Sequence, residues 1–169
     1  MDGGPAFFAH TRIGKGGAVF KCYKLRTMYV NSDARLLKFL KNDEQARLEW
    51  KTHFKIKHDP RITTLGHLLR KSSIDELPQL FNVIKGDMSL VGPRPIIQEE
   101  VKLYGEDISY YLRAKPGITG LWQISGRNDL DYAKRVALDT EYVTHWRHTL
   151  DFKILIKTAG VVIAQRGAY

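Results

Sequence analysis

At Ser32 the chain changes its hydrophobic period, and that change limits the folds open to it. Before Ser32, Phe7-Phe8-Ala9-His10 and Val19-Phe20-Lys21-Cys22-Tyr23-Lys24-Leu25-Arg26-Thr27-Met28 read as short extended segments on either side of Ile13-Gly14-Lys15-Gly16-Gly17. Two such segments around a glycine-rich turn predict a β-hairpin. The glycines lack the spacing of a phosphate-binding loop, so turn chemistry is the better account of them. After Ser32, the residues Leu36, Leu37, Leu40, Ala46, Leu48 and Trp50 recur at helical spacing among Lys, Arg, Asp and Glu. This predicts an amphipathic helix with Ser32 as N-cap, running to about His53 and broken near Asn42.

The rest of the chain punctuates itself with proline and glycine. Asp59-Pro60-Arg61 predicts a turn, and Thr64 a cap for a short helix from Leu65 to Arg70. A further helix is expected from Asp75 to Ile84, with Pro78 in its first turn and Gly86 as its stop. Leu90-Val91-Gly92-Pro93-Arg94-Pro95 reads as a rigid loop, 97–113 as helix, Lys115 to Gly120 as a turn and Leu121-Trp122-Gln123-Ile124 as a short strand. Another turn at Ser125-Gly126-Arg127-Asn128 leads to helices over about 130–146 and 149–165. The expected fold class is α+β and mainly α: a short N-terminal hairpin and one small strand among several amphipathic helices, in a single domain over residues 1–169.

Charge narrows the partners. With 27 Lys+Arg against 18 Asp+Glu the 169-residue chain carries a formal +9, which favours polyanions: nucleic acid, nucleotide phosphates or an anionic lipid surface. The aromatics do not interleave with basic residues in any RNA- or DNA-reading pattern, so no nucleic-acid partner is expected. A basic nucleic-acid module and a non-catalytic membrane-surface module are the alternatives to an enzyme. Lys38, Lys41 and Arg47 offer a basic face suited either to solvent or to a membrane surface. The single cysteine, Cys22, excludes an internal disulfide and reads as a small buried residue. No window has the length and apolarity of a spanning helix, and the N-terminus lacks signal-peptide layout.

Within this basic chain stand two adjacent carboxylates, Asp75 and Glu76, just after Arg70 and Lys71. At a helix start, Asp75 would be held ionised by the dipole, able to cap the helix, bind a cation or attack phosphorus. Arg94, presented between two prolines, has the planar fork that suits phosphate. Neighbouring side chains on a helix do not share a face, so the two acids should have different jobs. Such a sparse acidic set suits Mg²⁺, which takes one or two carboxylates and completes its shell with substrate phosphates. His145 and His148 form a weaker metal candidate without a third ligand. Asp139 lies on an otherwise apolar helix side, with Arg135 as its local partner candidate. The apolar run Ile154–Ala164 fits a core helix and an interfacial one equally well.

Four segments carry a family resemblance. They are Lys21–Met28, Asp59–Thr63, Leu69–Val83 with its Ile74-Asp75-Glu76-Leu77-Pro78, and Gly86–Pro95; Lys115–Asn128 extends the match. In order and over nearly the whole chain, they resemble the bacterial sugar transferases, the monotopic polyprenyl-phosphate phosphoglycosyltransferases that start capsule, exopolysaccharide and O-antigen assembly. The resemblance implies Asp75 as nucleophile on the β-phosphate of a UDP-sugar, galactose or glucose being favoured. UMP would leave, and the acyl-phosphate would pass its phospho-sugar to undecaprenyl phosphate. It further implies Mg²⁺ held by Asp75 and Glu76, and phosphate contacts from Arg70 and Arg94. Lys24, Arg26, Arg127, Asn128 and Asp139 would lie near the nucleotide or the structural core. The expected setting is the cytoplasmic face of the bacterial inner membrane, against an anionic surface, with a homodimer among the partners. Members carry a hydrophobic re-entrant helix before the stretch that begins here, so the chain is expected to be the catalytic part of a longer membrane-anchored protein.

Overall fold

In a computed structural model that describes residues 3–53, 56, 59–126 and 130–163, the expected hairpin forms from β1 (Phe7–Ile13) and β2 (Val19–Leu25). The strands pair antiparallel, from Phe7 opposite Leu25 to Ile13 opposite Val19. Gly16 and Gly17 both take positive φ, 67° and 82°, in the turn between them. Side chains alternate along β2, so Phe20 and Cys22 point inward together and pack on Val83, Met88 and Ile118. β1 is an exposed edge over most of its length.

The long amphipathic segment is two helices, α1 (Ser32–Asn42) and α2 (Glu44–His53). Asp43 makes the break: its backbone is extended, and its Oδ1 accepts the Ala46 N–H at 2.9 Å. The N-cap of α1 is Asn31, one residue before the expected Ser32. Helix α3 (Thr64–Lys71) is likewise capped one residue early, by Thr63, whose Oγ1 accepts the Gly66 N–H at 2.9 Å. An extended crossing sets α3 against the end of the hairpin: Met28 bridges Ile62, and Thr63 N–H donates to Thr27 O at 3.0 Å.

No α-helix starts at Asp75. Ser73 adopts the left-handed conformation at φ 57°, the chain reverses, and Ile74–Glu76 forms a 3₁₀ turn. Pro78 has no N–H to give the Ile74 carbonyl, which accepts from Leu77 instead at 3.1 Å, so the tighter ladder wins. The helix proper, α4 (Gln79–Lys85), begins after Pro78 and ends at Gly86 in the left-handed region, as expected.

Leu90 and Val91, expected in a loop, belong to β3 (Ser89–Val91), paired parallel with β4 (Gly117–Thr119), itself expected as a turn. The prolines begin only at Pro93, past the last ladder bond from Gly92 N–H to Thr119 O at 2.9 Å. The expected strand at 121–124 is a single helical turn, α7 (Leu121–Ile124), which buries Trp122. Burial has overridden the β-leaning composition there. Between the strands, the expected helix over 97–113 is broken into α5 (Val101–Tyr104) and α6 (Ile108–Tyr111) where Gly105 takes φ 53°. Helices α8 (Tyr132–Thr144) and α9 (His148–Ile163) close the described chain, α8 capped by Asp131.

The result is the expected α+β fold, mainly helical, with three apolar clusters. Ile13, Ile96, Tyr104, Tyr111 and Val136 join the hairpin turn to α5, α6 and α8. Phe20, Cys22 and Met88 seat β2 on α4 and β3, while Val91, Tyr142 and Ile154 fix α8 and α9 on the parallel pair. Cys22 is 1% exposed, and burial pushes its thiol up. Among the described residues, no helix is long and apolar enough to cross a membrane.

Candidate active site

Four of the predicted site residues converge where the end of β2 meets the turn between α3 and α4. Lys24 reaches across 52 positions to Glu76, Nζ to Oε1 at 2.7 Å. Arg70, in the last turn of α3, donates from Nε to Thr27 Oγ1 at 2.9 Å. Asp75 is 8% exposed and within electrostatic reach of both cations. Because β2, Thr27, α3 and the 3₁₀ turn each supply one wall, the site depends on long-range packing rather than on a local motif.

Electrostatics at Asp75 differ from a helix-start carboxylate. Burial pushes its carboxyl above the ordinary range, and Glu76 adds to that push. Lys24, Arg70 and the residue's own backbone pull it down. The ionised form is therefore held by two cations, in place of the expected α-helix dipole. Arg70 is the counterpart: burial lowers its pKa, and the charges of Asp75 and Asp59 offset that. A guanidinium ionises so far above neutrality that it stays charged here.

A buried ion pair behind Arg70 was not singled out in the sequence. Arg61 donates to Asp59 from Nε to Oδ1 at 2.9 Å and Oδ2 at 3.0 Å and from Nη2 to Oδ2 at 2.6 Å, with its guanidinium 4.9 Å from the Trp50 ring centre. Asn82, fully buried, was missed as well. Its amide donates to Lys21 O at 2.7 Å and its Oδ1 accepts Tyr23 N–H at 3.0 Å, fixing the strand that carries Lys24 to the helix that follows Asp75. The signal for the first was Asp59-Pro60-Arg61, read only as a turn; a lone Asn inside a helix gave none for the second.

Arg94 keeps different company. Its guanidinium lies 5.6 Å from the Trp122 ring centre, and Arg135 stacks on the same ring at 4.9 Å. Arg94 is the charge that most lowers both Arg12 and Arg135 after burial, so three cations share this second cluster. Asp139 belongs to it, 1% exposed, with Oδ2 accepting the Tyr104 hydroxyl at 2.8 Å. The partner is thus Tyr104 from α5, where Arg135 was the local candidate. Burial pushes the Asp139 carboxyl up to about 7, opposed by the Tyr104 hydroxyl, the Arg94 backbone and the charges of Arg135 and Arg94. Trp122 Nε1, Tyr132 Oη, Arg135 Nε and Asp139 Oδ1 are buried there without hydrogen-bond partners among the described residues.

Arg26 turns toward its own chain, donating to the carbonyls of Pro5 at 2.6 Å and Met28 at 3.0 Å. Arg127 and Asn128 lie outside the described residues. His145 caps the end of α8 through the Glu141 carbonyl, and among the described residues no three His, Cys, Asp or Glu side chains gather into a metal-binding group. The adjacent carboxylates of Asp75 and Glu76 remain the oxygen donors that fit a hard divalent cation. Two are enough for Mg²⁺ when substrate phosphates and water supply the other ligands.

Comparison with known proteins bears on this site. The family model described as "Bacterial sugar transferase" matches residues 1–165. The chain is 58% identical over 168 residues to the "Undecaprenyl-phosphate galactose phosphotransferase" of Salmonella typhimurium, covering 99% of this chain and 35% of that protein. It is 52% identical to the "Exopolysaccharide production protein ExoY" of Sinorhizobium fredii, across 99% of this chain and 74% of that one. The "UDP-glucose:undecaprenyl-phosphate glucose-1-phosphate transferase" of Xanthomonas campestris is 38% identical, with 98% of this chain matched to 33% of its length. The chain thus spans about a third of the length of the Salmonella and Xanthomonas relatives.

Proposed function

The chain belongs to the bacterial sugar transferase family, and from that premise we propose that it transfers a sugar-1-phosphate from a UDP-sugar to undecaprenyl phosphate. In the first step a carboxylate oxygen of Asp75 attacks the β-phosphorus of the UDP-sugar. The new O–P bond forms as the P–O–P anhydride breaks, and the electron pair leaves with UMP. In the second step a phosphate oxygen of undecaprenyl phosphate attacks the same phosphorus, the acyl-phosphate bond breaks, and Asp75 returns to its carboxylate. Each step exchanges one high-energy phosphate bond for another, which makes a covalent intermediate sensible.

The observation that carries this reading is that Asp75 is buried within the electrostatic reach of Lys24 and Arg70, with Glu76 beside it bonded to Lys24. Burial raises the Asp75 carboxyl above its ordinary range, and the charges of Lys24 and Arg70 oppose that rise and favour the carboxylate that attacks phosphorus. Arg70 and Lys24 would meet charge on the diphosphate, and the half-buried Arg94, next to the buried Arg135, would offer a second basic group to the nucleotide. Asp75 and Glu76 would hold Mg²⁺, which when bound neutralises the diphosphate and polarises its phosphorus. The Salmonella and Xanthomonas relatives, a galactose phosphotransferase and a glucose-1-phosphate transferase by name, favour galactose or glucose as the sugar. A basic chain of this family would work at an anionic surface, the cytoplasmic face of the bacterial inner membrane.

The decisive experiment measures UMP release from UDP-galactose and UDP-glucose, with intact-mass detection of a sugar-phosphate adduct on the chain. Asp75→Asn should abolish both signals. Unchanged turnover in that variant would remove Asp75 as nucleophile.

A further inference from the structure

Thr27 offers two oxygens to α3, and they have different uses. Its carbonyl accepts the Thr63 N–H at 3.0 Å and the Thr63 hydroxyl at 3.3 Å, and Gly66 has room for no Cβ beside that same atom. This backbone group already docks the start of the helix on the end of the hairpin. The Thr27 hydroxyl meets the other end of α3, accepting Arg70 Nε–H at 2.9 Å. Docking is secured without that second bond, so what the hydroxyl adds is a hold on one charged side chain.

That hold is a firm one. Thr27 is 6% exposed, and a β-branched side chain has few χ1 settings, so its hydroxyl oxygen has little freedom to follow a moving guanidinium. Arg70 is half-buried and makes this hydrogen bond and no other among the described residues. A guanidinium is planar and presents its N–H groups in a fixed fork. Holding the Nε–H restrains the plane of the fork and leaves the N–H groups of Nη1 and Nη2 for an anion. Asp75 is the charge that acts most strongly on this guanidinium, followed by Asp59. The restrained group is therefore the one that shares its field with the proposed nucleophile.

We propose that Thr27 is a positioning residue for the reaction: its hydroxyl holds Arg70 Nε so that Nη1 and Nη2 meet substrate phosphate already oriented. The assignment rests on the proposed function, in which Arg70 contacts the diphosphate. A free arginine side chain gives up rotamer entropy when it binds. One whose fork is already fastened to the fold gives up less, and its geometry is set before the substrate arrives. Thr27 touches no reacting atom in this scheme and acts only through Arg70.

The test separates the hydroxyl from the shape of the side chain. Thr27→Val keeps the branched shape and removes the acceptor, whereas Thr27→Ser keeps the acceptor. In the full chain, Thr27→Val should lower kcat/KM for UMP release from UDP-galactose about 10- to 100-fold, and Thr27→Ser should recover most of that loss. Urea unfolding verifies that the variants fold, and Thr27→Ala serves in place of valine if valine does not. In an Arg70→Lys background, which has no Nε to hold, Thr27→Val should cause no further loss. A readout independent of turnover is the side-chain ¹⁵N resonance of Arg70. Its Nε–H should exchange slowly in the wild type and fast in Thr27→Val, and titration with inorganic pyrophosphate should need about tenfold more of it in Thr27→Val. Wild-type kcat/KM in folded Thr27→Val, an equal loss in Thr27→Ser, a full further loss in the Arg70→Lys background, or an unchanged pyrophosphate titration would each overturn the assignment. If the wild type releases no UMP while Thr27→Val still weakens pyrophosphate binding at Arg70, the proposed function fails and the positioning role stands. Normal UMP release from Thr27→Val defeats the positioning role alone.

Discussion

Replacing Gly66 with alanine tests whether the position of α3, and with it Arg70, is set by backbone contact. A Cβ built on Gly66 would stand 2.0 Å from the Thr27 carbonyl oxygen, and reaching an ordinary contact of 3.4 Å takes a shift of about 1.4 Å. That oxygen is backbone, so no rotamer change relieves the clash. A shift of this size breaks both the 3.0 Å bond from Thr63 N–H to Thr27 O and the 2.9 Å bond from Arg70 to Thr27 Oγ1. Overpacking costs about 1–3 kcal/mol, two lost hydrogen bonds add about 1–3, and the gain from alanine in a helix returns about 1. Net destabilisation by about 1–5 kcal/mol is expected, read by urea unfolding with tryptophan fluorescence. If Arg70 binds phosphate as proposed, its misplacement by about 1 Å should also lower UMP release on the order of 100-fold. Gly160→Ala is the control, because a Cβ there meets nothing within 4 Å and should be neutral or stabilising. If Gly66→Ala unfolds within about 0.5 kcal/mol of the wild type and releases UMP at a similar rate, the contact does not register α3.

Three other outcomes follow from the site. Asp139 has a folded pKa raised to about 7, above the ordinary ~3.9, so its ionisation penalises the fold, and stability falls as pH rises from about 4 through 7. Asp139→Asn, which keeps an acceptor for Tyr104, should therefore gain about 2–3 kcal/mol on the wild type between pH 5 and pH 8, read by urea unfolding at each pH; a pH-independent difference refutes the burial of that carboxyl. Asn82→Ala leaves Tyr23 N–H and Lys21 O without their partner and should cost about 2–4 kcal/mol. Hydrogen exchange at Tyr23 should speed up at the same time. Lys24→Met removes the strongest charge holding the Asp75 carboxyl down, so the acid limb of the UMP-release pH profile should move to higher pH. An unmoved limb would separate Lys24 from Asp75.

Much of the fold could be read from local chemistry. The hairpin followed from alternation around Gly14–Gly17, the Gly86 stop from the need for a positive φ, and the break between α1 and α2 from the run of polar residues at Asn42-Asp43. The errors lie where tertiary contact decided the outcome. Nothing within Leu90–Pro95 or Lys115–Gly120 announces a strand, because each becomes one only by pairing with the other, 28 positions apart at Ser89 and Gly117. Leu121–Ile124 has strand composition, yet the burial of Trp122 takes it into a helical turn. At the site, Asp75 and Glu76 stood out by their charge in a basic chain, and Arg70 by its nearness in sequence. Arg94 stood out between its two prolines and Lys24 was named from a resemblance; the structure sorted them, Lys24 to Glu76 and Arg94 to Trp122. Asp59, Arg61 and Asn82 stayed hidden, since a buried polar partner becomes visible only when its partner's position is known.

The Asn82 amide has a consequence for the order in which the chain can be made. It ties β2 to a residue 61 positions later. At a synthesis rate of about 5–20 residues per second, the finished hairpin waits roughly 3–12 s for that partner to be polymerised, and longer for it to clear the ribosome. Throughout that interval Phe20 and Cys22 have no Met88 to cover them, and both hairpin edges are open to foreign strands. Slowing translation between codons 26 and 82 should therefore increase aggregation of the nascent chain, without altering the stability of the protein once completed.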